Sequence, residues 1–305
     1  MDHALVIGEA LIDAVVRVDG STERCPGGSP ANVAVGLARL GRDVDLASWV
    51  GGDADGALIR DHVAASGVHL VTGSRRPART SVATVYLHAD ETADYIFDMD
   101  WDLPADYARR DTSPLVVHTG SIATALQPGA DAVVSELHRY RATSTLTYDP
   151  NLRPSIVGPA QRVLRSVQQL IVSADVIKVS EEDLAWLLPG EDPTEVARRW
   201  VSAGPALVVV TLGSAGALAV TASGATVQVE APEVTVVDTV GAGDAFMSGL
   251  IDGLWSADLL GAERRPQLRA APESTVEQIL TRCVRLAAIT VSRPGADPPT
   301  LADLA

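Results

Sequence analysis

The sequence predicts an α/β fold in three layers, a mostly parallel central sheet with helices on both faces. Short apolar runs alternate with helix-length segments along nearly all of the 305 residues. Those runs are mostly apolar instead of strictly alternating in polarity, as expected of strands covered on both faces. No repeat, composition shift or linker divides the chain, so 1–305 reads as one domain.

The strands expected are Ala4–Ile7, Val44–Ala47, Leu115–Val117, Leu146–Tyr148, Val176–Val179 and Leu207–Thr211. The helices expected are 30–40, 54–66, 129–141, 159–172, 193–203, 243–254 and 275–292. In such a sheet ligands lie beyond the carboxyl ends of the strands. Two stretches break the rhythm. Residues 10–18 and 80–98 look extended without crossover helices, with Thr80–Leu87 and Tyr95–Phe97 forming a hairpin around 88–94. They read as a small β-lid; the pattern equally admits an antiparallel extension of the main sheet. Gly190–Pro193 and Ala257–Pro272 read as turn or loop, the latter as a surface insertion.

Composition narrows the function. With 24 basic and 39 acidic residues the formal net charge is −15, which disfavours nonspecific binding to nucleic acid or to an anionic membrane face. Two cysteines, Cys25 and Cys283, make no disulfide framework, and neither a basic leader nor a spanning apolar run is visible. A cytoplasmic location is the expectation. Lys178 is the only lysine, and it sits in the strand-like run Val176–Val179. A P-loop, which needs Gly-Lys-Ser/Thr, is thereby excluded, so phosphate chemistry must rely on arginine, backbone amides or metal. The six histidines show no metal-ligand spacing.

Two glycine-rich turns carry the chemistry. The first runs Gly27-Gly28-Ser29-Pro30-Ala31-Asn32-Val33 and on to Gly41. Ser29 reads as the N-cap, Pro30 as the first helical residue and Gly41 as the C-terminal stop. The glycines allow a ligand close to the backbone, and the Asn32 amide offers a donor and an acceptor suited to a polyol. Alone, the segment reads first as a well-capped helix with a spare surface asparagine.

The second turn is Asp238-Thr239-Val240-Gly241-Ala242-Gly243-Asp244-Ala245-Phe246. Phe246, Leu250 and Leu254 recur every four residues, so a helix starts near Ala242. The amides of Gly241, Ala242 and Gly243 then form an anion hole for a phosphoryl group at its positive end. Asp244, in the first turn, suits a base that accepts a proton from an attacking hydroxyl; merely offsetting the helix dipole is the plainer reading. A dinucleotide fingerprint fails, because Phe246 occupies the third glycine position.

These two segments, in this order and about 200 residues apart, resemble the paired signatures of the ribokinase-like, or phosphofructokinase-B-type, carbohydrate kinases. The resemblance covers the whole chain, from Gly8-Glu9-Ala10-Leu11-Ile12-Asp13 to Arg293-Pro294-Gly295-Ala296. Within the family the chain looks most similar to bacterial fructokinases, through Ser29–Ala34, Asp149-Pro150-Asn151-Leu152-Arg153-Pro154 and Ser180-Glu181-Glu182-Asp183-Leu184. The resemblance implies a ribokinase-like fold and ATP-dependent phosphorylation of a primary hydroxyl on a small sugar such as fructose, with Mg²⁺ and an activating K⁺.

It also implies roles. Asp13, Gly28 and Asn32 would hold sugar hydroxyls, with Arg153 near the sugar or the transferred phosphate. Asp244 would be the base and Gly241, Ala242 and Gly243 the anion hole. Thr211 and Gly213 would contact the nucleotide, and Asp238 with the Val240 carbonyl would hold K⁺ together with carbonyls near Arg293–Gly295. Ser180 to Asp183 stands where the family carries Asn-x-x-Glu, linked to magnesium and phosphate; Asp183 keeps the carboxylate with a shorter reach. Phe97, at the end of the second hairpin strand, is placed to touch the sugar ring or simply to pack. Family members often pair through the lid, implying a homodimer.

Competing expectations are a 2-keto-3-deoxygluconate kinase, a nucleoside kinase, or a catalytically silent sugar- or nucleotide-binding regulator on the same fold. An acid substrate would need a cation such as Arg153, whereas the lid residues Asp90, Glu91, Asp94 and Asp98 carry the wrong sign. The scarcity of aromatics disfavours a nucleoside, and an intact Asp244 disfavours a silent regulator.

Overall fold

The computed structural model describes residues 2–73, 76–88 and 92–304. Thirteen strands form two sheets among these residues. The strands are β1 Ala4–Ile7, β2 Leu11–Val16, β3 Thr22–Gly27, β4 Val44–Ala47, β5 His69–Val71, β6 Val82–Leu87, β7 Ala93–Asp98, β8 Val116–Gly120, β9 Thr145–Asp149, β10 Val176–Ser180, β11 Leu207–Thr211, β12 Ala217–Thr221 and β13 Thr226–Val229. The helices are α1 Ser29–Arg39, α2 Ala54–Ala65, α3 Gly129–Tyr140, α4 Pro154–Val157, α5 Ala160–Ile171, α6 Glu181–Leu187, α7 Pro193–Ser202, α8 Ala242–Ser256, α9 Arg265–Arg269 and α10 Glu273–Val291.

The nine-stranded sheet runs β13-β12-β11-β10-β9-β8-β1-β4-β5, and every pairing from β11 to β5 is parallel. Its strands alternate between two cores. Ala4, Val6, Leu207 and Val209 face one cluster, with residues of α1, α2, α8 and α10. Leu5, Ile7, Val208 and Val210 face the other, with residues of α3, α5, α6 and α7. Those are the three layers expected, and they explain why the strands read as largely apolar runs.

The second sheet, β3-β2-β6-β7, is separate from the first. It contains both irregular stretches, 10–18 and 80–98, so the extension of the main sheet is not what forms; residues 89–91, including Asp90 and Glu91, lie outside the described residues. Its β3 has no signal in the sequence, because Thr22-Glu23-Arg24-Cys25-Pro26-Gly27 is polar and pairs only with β2. Ile12 and Ala14 join the main core, whereas Asp13 points from the other side of β2.

Two expectations need correction. Residues 257–272 are not a loose insertion. Leu259, Leu260 and Leu268 are buried, and Arg265 bonds Asp175 and the carbonyls of Arg141 and Ser144. Ser29 is not the N-cap of α1 either. That position belongs to Gly28, whose φ of 102° an L-residue rarely adopts, and a side chain there would meet the Glu9 carbonyl. The C-terminal stop forms as expected, since the Gly41 and Arg42 amides return to Ala38 and Leu37 in a Schellman motif.

Candidate active site

The carboxyl ends of β1, β8, β9, β10 and β11 share one edge of the main sheet, where Gly120 pairs with Asp149 and Ser180 with Thr211. α1 and α8 cross beside that edge. Their close approach is possible because position 36 is glycine; a Cβ there would sit 2.5 Å from Ser248 Oγ. The crossing brings the two glycine-rich turns together.

α8 begins where expected, at Ala242, after Gly241 has taken a left-handed conformation with φ 78°. Its first N–H groups lack intrahelical acceptors and present the positive end of the helix dipole. Asp244 lies in this turn, 6% exposed. Its carboxylate accepts from Ser29 Oγ at 2.7 Å, Asn32 Nδ2 at 2.8 Å and Asn151 Nδ2 at 3.3 Å. Asn151 also donates to Ser29 Oγ at 2.6 Å. Arg153 Nη1 donates to Asn151 Oδ1 at 2.7 Å and to the Leu152 carbonyl at 2.9 Å, so the guanidinium folds back on its own loop.

Across from these groups, Asp13 projects from β2. It keeps an open face, yet the surrounding walls withhold enough water that burial pushes its pKa up to about 6; Arg153 opposes the shift and Asp244 adds to it. Phe97 shares its face, because Asp13 pairs with Ala83 and Ala83 with Phe97. Phe97 is half-buried and stacks on Tyr95, centroids 6.2 Å apart. Asp94 and Asp98 fall on the opposite face, where they pair with His88 and Arg79. They therefore say nothing about the sign of a substrate, and the charge that matters is that of Asp13, Asp244 and Arg153.

The remaining predicted residues divide into two places. Thr211 ends β11 and Gly213 opens a 3₁₀ turn with φ 55°, beside Ser180. Ser180 and Asp183 form a capping box at α6, and Asp183 Oδ1 also accepts from Leu152 N at 2.9 Å. Their hydrogen bonds thus tie β10 to the Asn151 loop. Asp238 accepts from Val240 N at 3.0 Å and from Gly295 N at 2.9 Å, which joins the two segments expected to converge. Among the described residues no group of three or more His, Cys, Asp or Glu side chains is placed to hold a metal ion.

Sequence reasoning missed Ser29, read as a cap, and Asn151, quoted only within a motif. It also missed a buried pair. Lys178 Nζ lies 2.9 Å from Asp149 Oδ2, with both side chains almost wholly enclosed.

A carboxylate held at the mouth of a glycine-rich helix start, where backbone amides can receive an anion, is an arrangement suited to phosphoryl transfer. The chain belongs to the pfkB family of carbohydrate kinases, whose family model matches residues 1–303. It is 34% identical to the fructokinase of Klebsiella pneumoniae over 257 residues, 82% of this chain and 83% of that protein. It is 30% identical to the fructokinase of Escherichia coli over 304 residues, 95% and 94% of the two. The fructokinase of Xylella fastidiosa with bound ATP superposes with a TM-score of 0.82 at 26% identity, covering 99% of this chain and 96% of that one. The Vibrio cholerae fructokinase in its fructose, ADP and calcium ion bound form gives 0.80 at 27%, covering 100% and 98%. The protein is an ATP-dependent sugar kinase.

Proposed function

We propose that this kinase transfers the terminal phosphoryl group of ATP to a primary hydroxyl of fructose, with Asp244 as the base. One observation carries the reading: Asp244, beside the first amides of α8, is the acceptor on which Ser29, Asn32 and Asn151 converge. A hydroxyl seated among these groups would lose its proton to Asp244 as the phosphoryl charge reaches the amides of Gly241, Ala242 and Gly243. Asp13, Asn32 and the Gly28 turn would hold the other hydroxyls, with Phe97 against the ring. Arg153, already bonded to its own loop, is not poised for a substrate carboxylate, which favours a neutral sugar.

Thr211 and Gly213 would meet the nucleotide, with Ser180 and Asp183 shaping that edge. Mg²⁺ would be carried on the nucleotide phosphates, where it would neutralise their charge. The Asp238–Val240 turn, fastened to Gly295, fits a monovalent cation site for K⁺ made largely of carbonyls. The second sheet acts as the lid. Among the described side chains of its β6 and β7 none is fully buried, and its Arg24–Asp55 tie to α2 is a partly exposed pair of about 1 kcal/mol at most. Leu87 and Tyr95 leave apolar surface on the lid, which suits pairing with a second copy. No helix among the described residues is long and apolar enough to cross a membrane; a cytoplasmic location is part of the proposed reading.

The test is ADP release over a panel of sugars, including fructose and 2-keto-3-deoxygluconate, with and without potassium, for wild type and Asp244→Asn. Fructose should give the highest kcat/KM, and the variant should lose about 10²–10⁴ in kcat. Preference for the acid sugar, or a variant with wild-type kcat, would overturn the reading.

A further inference from the structure

The single lysine of this chain is buried where the proposed chemistry has no stated use for it. Lys178 sits on β10 at 3% side-chain exposure, and its Nζ meets Asp149 Oδ2 at 2.9 Å. Asp149 Oδ1 is fully buried and has no hydrogen-bond partner. A buried ion pair is weak evidence of stabilisation, because desolvating both ions offsets their attraction. An apolar pair would serve the strand as well, so the charge calls for another explanation.

Its position supplies one. A Cβ built on Gly243 would lie 2.8 Å from Lys178 Nζ. The ammonium therefore touches the first turn of α8 from beneath, and glycine at 243 is what leaves it room. Burial alone would strip its proton, but Asp149, and beyond it Asp183 and Asp244, outweigh that and hold its pKa above the ordinary lysine value. A full positive charge thus adjoins the positive end of a helix. Asp149 balances that charge in the empty site, and a phosphoryl group in the turn would be attracted by the ammonium and the first amides together. Asp149 also starts the loop that carries Asn151 to Asp244, so the pair links the anion hole to the base.

We propose that Lys178 is a positioning residue for phosphoryl transfer: its ammonium, tethered by Asp149 and seated against Gly243, fixes the first turn of α8 and backs the anion hole with charge. The inference rests on the assignment of Asp244 and that turn. The experiment uses the intact chain with Lys178→Met and Lys178→Gln, measuring kcat and KM with fructose and MgATP, and fructose binding without nucleotide. Both variants should lose about 10²–10³ in kcat, the usual effect of removing one preorganised electrostatic group, while fructose KM and binding stay within about threefold. A kcat within threefold of wild type, or a loss confined to fructose binding, overturns the proposal. If the single variants do not fold, Asp149→Asn/Lys178→Met leaves no unpaired buried charge and is judged by the same criteria. Asp244→Asn separates the two ideas. An active Asp244 variant sinks the parent reading, whereas an inactive one beside a fully active Lys178 variant sinks only this one.

Discussion

Ser29 donates a 2.7 Å hydrogen bond to Asp244 across 215 residues of sequence. The serine hydroxyl is also the acceptor for Asn151, so it links α1, the Asn151 loop and the carboxylate we propose as the base. Hydrogen bonds to charged groups contribute roughly 1.5–3 kcal/mol. Ser29→Ala leaves Asn32 and Asn151 on the carboxylate, so only part of that is lost. We expect kcat at saturating sugar to fall about tenfold, well short of the effect of Asp244→Asn. Steady-state kinetics of the two variants side by side check this, and a Ser29→Ala kcat equal to wild type would remove Ser29 from the site.

Asn151 adopts φ 37°, a left-handed conformation that asparagine and glycine tolerate better than other residues. Its backbone and side chain can be tested apart. Asn151→Gly keeps the turn and removes the amide; Asn151→Ala removes the amide and adds backbone strain of about 1–2 kcal/mol. Both should lose a similar share of kcat, while denaturant unfolding should find the alanine variant less stable by about that amount. If Asn151→Gly retains full kcat, the loop matters only for its shape.

These two residues mark where the sequence stopped being legible. The helices opening at residues 29 and 242 follow from glycine, proline and a four-residue apolar spacing, which are local signals. Ser29 in a Gly-Gly-Ser-Pro stretch satisfies the local rule for a cap, and only the crossing of α1 on α8 diverts its hydroxyl to Asp244. Lys178 was correctly placed on a strand, but its meaning comes from Asp149 on the neighbouring strand. Strand β3 is polar and contains Pro26; backbone pairing to β2 makes it a strand, and pairing leaves no mark on residue pattern. The 257–272 segment misled for the opposite reason: its Pro, Gly and Arg content looks like a loop, while three leucines and one arginine anchor it.

Glu9, at the junction of β1 and the second sheet, offers a stability test. It is 4% exposed, accepts from Ala123 N at 3.1 Å, and burial pushes its pKa from 4.5 up to about 7. The folded state therefore holds this proton to higher pH than the unfolded chain. Stability is lost as pH rises from about 4.5 to 7, and the loss is complete above that. Two to three pKa units correspond to on the order of 3 kcal/mol. Glu9→Gln keeps an acceptor without the charge. Its stability relative to wild type should rise by that order between pH 5 and pH 8 in urea unfolding, and a flat difference would show that Glu9 titrates as an ordinary carboxyl.

Asp13 titrates in the same range, but its readout is binding. Its pKa of about 6 arises from burial in a wall that also faces Asp244. In the proposed role an ionised Asp13 would accept sugar hydroxyls through charge-assisted bonds, each about 1.5–3 kcal/mol, or roughly ten- to a hundredfold in affinity. As pH falls below 6 the carboxyl gains a proton and those bonds weaken. Fructose KM should therefore climb between pH 7 and pH 5 with its inflection near the Asp13 pKa. Asp13→Asn should start with a raised KM and lose that inflection, which distinguishes Asp13 from Glu9 and Asp149, whose carboxyls are also shifted upward. An Asp13→Asn profile that keeps the wild-type inflection would assign the titration to one of those buried neighbours and leave Asp13 without a part in holding the sugar.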